Sequence, residues 1–470
     1  MNTANPLPVD PLLPHLSLAV DGTAMVSVFD RLLRAQQPKL SVLACAVDRI
    51  KYRPRRNIAV SYRLRVRDAH SGRTFIQLVA TRFCSEGESR QRHANGLRRA
   101  AVGNAVGLAS SHVAALDMVA AWWPNDAKLG EAAALLSGDQ HTPQGVLNEV
   151  IAALTEGRGE LISHAFHLAQ VVPEHRACAR VELAYRAATS GPVLKRTVYV
   201  KAEAERAGAD THAVMQALKG SPAQSQGRLL TPRPILWQTQ RGLHWQEALP
   251  GMPLLDEANE VSVAAAQRVG SMLAGLHATP VPTQRCVGVD ELRERLALVA
   301  DTLAIVEPRW EGAVRSLSGA LTQGVGAACE AKSVTLHGDL HPRNILVADD
   351  RIGLIDLDGL RLGPAVADLG DWIADSLYRA LLAGRSAAMA LATCRAFVNA
   401  YAGASGTACG EAELAWSTAN SLFCQRAWRS VVNLKPGRYA LVEPLLDTAA
   451  AILRSGSIDA ALDVPQRLAA

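Results

Sequence analysis

Two short stretches hold residue types that move phosphoryl groups: His337-Gly338-Asp339-Leu340-His341-Pro342-Arg343-Asn344 and Ile355-Asp356-Leu357-Asp358-Gly359. Asp339 is a carboxylate that can accept a proton from an attacking hydroxyl. Asn344 offers an amide oxygen and Asp356 a second carboxylate, a donor pair suited to Mg²⁺ carried on nucleotide phosphates. Mg²⁺ takes oxygen ligands and keeps waters and substrate phosphates in its shell, so Asp339 is left free as base. Polar punctuation of a β-turn region is the plainer alternative. Against it, three acids or amides and two histidines in an apolar stretch are expensive to bury without partners.

These residues need a frame. The apolar runs Val334 to Leu336 and Ile345 to Val347 predict short buried strands. Ala348-Asp349-Asp350-Arg351 predicts a turn, and Ile352 to Ile355 the returning strand. The loop before this hairpin then presents Asp339 and Asn344 at the end to which Asp356 returns. Upstream, Glu156-Gly157-Arg158-Gly159 marks a junction, followed by strand texture over Leu161 to Val172, Arg180 to Ala188 and, after the turn Thr189-Ser190-Gly191-Pro192, Arg196 to Ala202. Helical texture follows at 261–277, 290–317 and from Asp371 onward.

The first stretch resembles the catalytic loop of the aminoglycoside phosphotransferase and choline kinase family, relatives of the protein kinases, and Ile355-Asp356 is similar to its metal-binding segment. The likeness covers roughly residues 160–470. It implies an α+β, protein-kinase-like bilobal fold: an extra N-terminal α+β domain over 1–158, a β-rich small lobe and hinge over 159–250, and a mostly helical large lobe over 251–470. Trp245-Gln246-Glu247-Ala248-Leu249-Pro250-Gly251 resembles the hinge, with the backbone of Gln246, Glu247 and Ala248 meeting adenine. Leu273-Ala274-Gly275-Leu276-His277 looks like the helix after it, and Gly363 to Leu369 like the segment whose aspartate, Asp368, braces the catalytic loop. Lys201, ending Thr197-Val198-Tyr199-Val200-Lys201, is placed as the lysine that clamps the nucleotide phosphates, and His337 is counted with Asp339 as catalytic. The implied acceptor is a small-molecule hydroxyl lying among helices that offer Asp371, Trp372, Asp375, Arg426 and Arg429.

Two departures stand out. The helix after Lys201 offers only Asp210 as an acidic partner, with Glu203 and Glu205 as the other candidates. No Gly-x-Gly-x-x-Gly loop occurs. In its place stands Pro173 to Arg180, where Arg176 or Arg180 either ligates phosphate or sits on a solvated hairpin turn. These departures motivate a second reading, a kinase-like nucleotide-binding module without turnover. A third is a metal-dependent hydrolase with His337, Asp339, His341 and Asp356 as ligands.

Composition narrows the rest. At 470 residues the chain can bury several cores. Its formal net charge of +5 is scattered, without the basic block and interleaved aromatics that track nucleic acid. No apolar run reaches a membrane span. Eight cysteines without Cys-x-x-Cys spacing read as reduced packing residues of a cytoplasmic protein. Finally, Tyr52 to Val79 repeats the residue order of Pro173 to Lys201, which either a faint duplication or chance accounts for. Trp122-Trp123-Pro124-Asn125 reads as a packed corner. In that comparison Ala80 and Thr81 stand opposite Lys201, leaving the first copy no charge for a nucleotide.

Overall fold

The computed structural model describes residues 7–85, 87–96, 101–138, 144–188, 191–204, 208–255, 260–349 and 351–464; Glu205, Asp350 and the pair Thr189-Ser190 lie outside the described residues. Contacts divide the chain into two compact units. One holds Val9–Ala209 with Pro234–Ala248; the other holds Asp210–Arg233 and Leu249–Ala470, with Met1–Pro8. The proposed hinge therefore falls at the division, between Ala248 and Leu249.

The first unit carries two antiparallel five-stranded sheets. After α1 (Leu16–Ala19) and α2 (Gly22–Arg34) come β1 (Leu40–Arg53), β2 (Asn57–Asp68), β3 (Thr74–Cys84), α3 (Glu88–Gly96), β4 (Ser110–Val113) and β5 (Met118–Trp122). Asp21 caps α2 by accepting from the N–H groups of Thr23 and Ala24. The buried rings of Phe29, Tyr62 and Trp122 meet edge to face, with centroids 5.0 and 6.0 Å apart. Next come α4 (Glu131–Leu135), α5 (Gln144–Thr155), β6 (Glu160–Val172), β7 (Arg176–Arg186), β8 (Val193–Glu203), β9 (Pro234–Gln238) and β10 (Leu243–Glu247). No break in contacts falls at residue 158. The apolar face of α5 (Val146, Leu147, Val150 and Ile151) shares one core with Val181, Leu183, Val198, Val200 and Trp245 of the second sheet. An amphipathic helix cannot stand alone in water, and this sheet face is what buries it.

Both sheets are wired alike, in the orders β1-β2-β3-β5-β4 and β6-β7-β8-β10-β9. Their first turns match as well. In Arg53-Pro54-Arg55-Arg56 and Val172-Pro173-Glu174-His175 the residue after proline is left-handed, at φ 58° and 59°. Each turn closes with a 3.0 Å bond from the fourth residue's N–H to the first residue's carbonyl. Met118 pairs with Phe83 as Leu243 pairs with Ala202, so Arg82, opposite Val119, stands where Lys201, opposite His244, stands. The expectation of Ala80 and Thr81 at that place is corrected. A slip of one residue exchanges the faces of a strand, and only the ladder fixes it. Arg82 donates to Asn57 (3.1 Å) and to Glu174 (2.9 Å), while the Glu174 N–H donates to Asp126 (2.8 Å). The turn over Val172–His175 is thus fastened to β3 and to the Asp126 carboxylate.

The second unit is mostly helical. It contains most of α6 (Gly208–Lys219), α7 (Pro222–Ser225), β11 (Met252–Pro253), α8 (Val263–His277), α9 (Val289–Val306), α10 (Glu311–Glu330), β12 (Ser333–Leu336), β13 (Ile345–Ala348), β14 (Arg351–Leu354) and β15 (Arg361–Pro364). Then follow α11 (Val366–Leu382), α12 (Ala387–Ser405), α13 (Glu411–Ser421), a π-helical turn over Leu422–Ala427, α14 (Trp428–Val432) and α15 (Val442–Ser455). The helix expected over 290–317 is two helices. Glu307 is extended (φ −141°) and Pro308 follows, which no continuous helix tolerates. Trp372, expected near the acceptor, is instead core: it is fully buried and stacks on Phe397 at 5.0 Å. No described helix is long and apolar enough to cross a membrane. All eight cysteines are free, and Cys286 is exposed where packing was expected.

Candidate active site

The catalytic-loop residues lie between β12 and β13, as the apolar runs require. β13 pairs with β14 from Ile345 opposite Leu354 to Ala348 opposite Arg351. The Ile355 N–H donates to the Asn344 carbonyl at 2.9 Å, which brings the backbone of Asp356 back beside Asn344. Asn344 in turn donates its amide nitrogen to the Asp339 carbonyl (3.1 Å), leaving its side-chain oxygen as the atom for a ligand. Asp356 sits at φ 63°, left-handed, at the point where the strand gives way to a 3₁₀ turn.

Asp368, from the first turn of α11, anchors the loop's other end. Its carboxylate accepts from the backbone N–H groups of His337 (2.7 Å) and Gly338 (2.9 Å), and lies 3.1 Å from His277 Nε2. His277 is itself held by the Tyr401 hydroxyl at 2.9 Å. Asp368 has no exposure to solvent. Burial alone would raise its pKa, but the His277 hydrogen bond and the charges of His277 and His337 outweigh burial and hold it below the usual carboxylate range. Gly338 adopts φ 79°, and a Cβ there would come within 2.6 Å of the Gly359 carbonyl oxygen, so glycine is required.

His337 is placed differently from its expected catalytic role. It is fully buried, its Nε2 lies 3.0 Å from the Ile355 carbonyl, and its Nδ1 accepts the Asp339 N–H at 3.4 Å. Both ring nitrogens face backbone, so His337 positions the loop and joins its two ends.

Asp339 meets Arg429 of α14 at 3.2 Å and His341 at 3.7 Å. Burial pushes this carboxyl up; the Arg429 charge, then His341, Arg426 and His337, more than offset it, and the group is held ionised below its ordinary value. The π-helical turn presents Gln425 to Asp371 at 2.6 Å and Arg426 to Asp375 at 3.1 Å. Asp375 also binds Arg379. Asp371, by contrast with Asp339, is pushed up to about 6 by burial. The arginines three apart at 426 and 429 thus serve two different carboxylates. No sequence signal could reveal that, since the pairing is long-range.

The remaining expected residues belong to the first unit. Lys201 lies on the half-exposed face of β8 with Thr197 and Tyr199, while Val198, Val200 and Ala202 fill the core. Glu203 shares its face; Asp210, in the other unit, pairs with Arg285 at 3.8 Å. Arg176 opens β7 next to the fastened turn. Gln246 is buried, Glu247 pairs with Arg196 at 3.1 Å, and the Ala248 N–H donates to the Thr197 carbonyl at 3.1 Å. Among the described residues no group of three or more His, Cys, Asp or Glu side chains is placed to hold a metal.

Residues 184–406 match the model of the phosphotransferase enzyme family. This segment is therefore similar to the phosphotransferase enzyme family. It contains Lys201, Gln246 to Ala248, His337 to Asn344, Asp356 and Asp368, and stops short of Arg426 and Arg429. Among solved structures, the chain is similar to a choline/ethanolamine kinase family protein from Mesorhizobium loti, at 14% identity over 68% of this chain and 98% of that one, TM-score 0.43. It is similar to choline kinase LicA from Streptococcus pneumoniae, at 14% identity over 66% and 99%, TM-score 0.42. A third is an aminoglycoside phosphotransferase solved with ADP and hygromycin B, at 13% identity over 66% and 98%, TM-score 0.43. No curated protein matches. The likeness to that family is carried by residues 184–406.

Proposed function

We propose that the chain transfers the terminal phosphoryl group of ATP to a hydroxyl of a small molecule, with Mg²⁺. The observation that carries this reading is Asp339: an ionised carboxylate on a loop pinned at both ends, by Asp368 and by the strand pair returning Asp356. The acceptor hydroxyl gives its proton to Asp339 as its oxygen bonds to the γ-phosphorus. The bond from that phosphorus to the β–γ bridging oxygen breaks, and ADP leaves. Asn344 and Asp356 would hold Mg²⁺; one amide oxygen and one carboxylate suit an ion that otherwise keeps waters and phosphate oxygens. When bound, that ion neutralises charge on the phosphates. Lys201 steadies the nucleotide phosphates, with Arg176 as a further ligand. The hinge backbone at Gln246 to Ala248 takes adenine through groups other than the Ala248 N–H. His337 acts as a positioning residue. Segment 1–158 is read as a copy of the small lobe without a nucleotide site.

The fastened, glycine-free turn favours one second reading, a nucleotide-binding module without turnover. Three variants decide between them. Asp339→Ala is expected to abolish transfer with nucleotide affinity nearly unchanged, and Asp356→Ala to weaken both. Arg429→Gln removes the main charge that lowers the Asp339 pKa, so the acidic limb of kcat/KM should move to higher pH. Nucleotide binding with no Asp339-dependent transfer to any acceptor would favour the inactive module.

A further inference from the structure

Beside Asp339 the helical unit opens a cavity with an empty volume of about 740 Å³, part of it open to solvent. Six of its lining residues are cations: Arg343, Arg379, Arg426, Arg429, Lys435 and Arg438. Asp375 is its only acidic lining residue. With His341 neutral, six positive charges line the cavity against one negative, and the nearby Asp339 carboxylate meets only Arg429 among them, at 3.2 Å. Asp375 does not satisfy the set, because it already binds both Arg379 and Arg426.

Arg426 is the informative residue. It is only 7% exposed, it lines the cavity, and its Nε and Nη2 make no hydrogen bond among the described residues. A guanidinium buried with two unmet donors is costly unless a ligand supplies acceptors. Arginine's planar fork matches a carboxylate or phosphate in two parallel bonds. Burial and the neighbouring Arg379 charge push the Arg343 pKa down despite the opposing Asp375 charge, the response expected where cations outnumber anions. The cavity also reaches the chemistry. Arg343 belongs to the catalytic loop, and Arg429 and His341 line the cavity while facing the Asp339 carboxylate.

We infer that the acceptor is an anionic hydroxyl compound, bearing a carboxylate or phosphate that docks on Arg426 and its neighbours while its hydroxyl faces Asp339. Cationic amino sugars and quaternary amino alcohols are disfavoured by the same charges. This inference rests on the phosphotransferase reading of Asp339 but can be tested without turnover. Full-length protein is titrated calorimetrically with glucose, glucose 6-phosphate and glucosamine, with Mg²⁺ and AMP-PNP present and absent. The expected result is binding of the phosphate ester at least tenfold tighter than of the neutral sugar, no binding of the amine, and weakening with salt. Arg426→Met should remove most of that preference. Because it also strips Asp375 of a partner, the exposed Lys435→Glu serves as a second variant, with a several-fold loss expected. Equal or tighter binding of the amine would overturn the inference. So would affinity unchanged in both variants, or displacement of the phosphate ester by AMP-PNP, which would give these cations to the donor nucleotide. Anion binding without transfer to any acceptor would instead sink the kinase reading and, with it, the acceptor role, leaving an anion-binding site alone.

Discussion

The two five-stranded sheets of the first unit share strand order, the left-handed turn after proline, and the alternation of buried and half-buried residues along β3 and β8. They differ in what the corresponding side chains do. Arg82 closes onto Asn57 and Glu174; Lys201, at the same ladder position, sits beside Thr197 and Tyr199 on a half-exposed face. At the strand expected to lead into the hinge, the side chains differ in type. Ladder register sets Gln246 and Glu247 against Ala121 and Trp122, and Trp122 is wholly buried beside Phe29. In the first sheet Arg82 is tied to Asn57 and Glu174 and Trp122 fills the core; in the second, Lys201 lies on a half-exposed face, Gln246 is buried and Glu247 pairs with Arg196. A shared backbone does not carry a function; the side chains at a few register positions do.

The sharpest way to break this comparison is the pair Lys201→Met and Arg82→Met. Loss of the charge at 201 is expected to cut kcat/KM for ATP by about 100-fold or more, the scale seen when one preorganised charge or donor is removed from a developing anion. The melting temperature should fall less than with Arg82→Met, since methionine keeps the stem of a half-exposed side chain. Arg82→Met should do the reverse, lowering the melting temperature and leaving kcat/KM within a factor of two or so. Equal kinetic damage in both would show that the sheets are not functionally distinct.

Much of this site was legible in residue order, and the reasons for the exceptions are physical. The β13–β14 hairpin follows from two apolar runs around a turn containing Asp349, which is left-handed. Asp368 was legible as a brace only through family likeness, because nothing local ties it to the His337 and Gly338 amides. Pro308 was a visible break that helical texture on both sides concealed. Arg82 was misplaced by one residue because matching by turn and tyrosine sets order without register. The Arg426–Asp375 and Arg429–Asp339 pairs depend on how α11 and the π-helical turn pack, which no local pattern encodes.

A smaller effect measures the tie itself. A double-mutant cycle on Arg82→Met and Glu174→Gln should return a coupling of about 0.5 kcal/mol from urea midpoints, read at constant m-value. The two carboxylate and guanidinium atoms approach to 2.9 Å, but the side chains are 17% and 37% exposed, so solvent screening takes most of the Coulomb energy. A coupling indistinguishable from zero would mean that the Asp126 contact alone holds the turn, and that the sheets are fastened through backbone.

The smallest effect tests whether the two turns are equivalent apart from that tie. Arg55 and Glu174 both hold φ near 60°, which strains a residue with a Cβ by about 1 kcal/mol or more. Glycine relieves the strain but loses roughly 0.5–1 kcal/mol to the greater freedom of the unfolded chain. Arg55→Gly keeps its one described anchor, the backbone N–H bond to Asp10 at 2.7 Å, so a gain of a few tenths of a kcal/mol is expected. Glu174→Gly keeps the backbone bond to Asp126 but forfeits the Arg82 contact. Its net effect should therefore fall below that of Arg55→Gly by the coupling from the cycle. Agreement between the two differences would show that one ion pair is what separates otherwise interchangeable turns; a larger gap would place further specialisation in the Pro173–Arg176 turn.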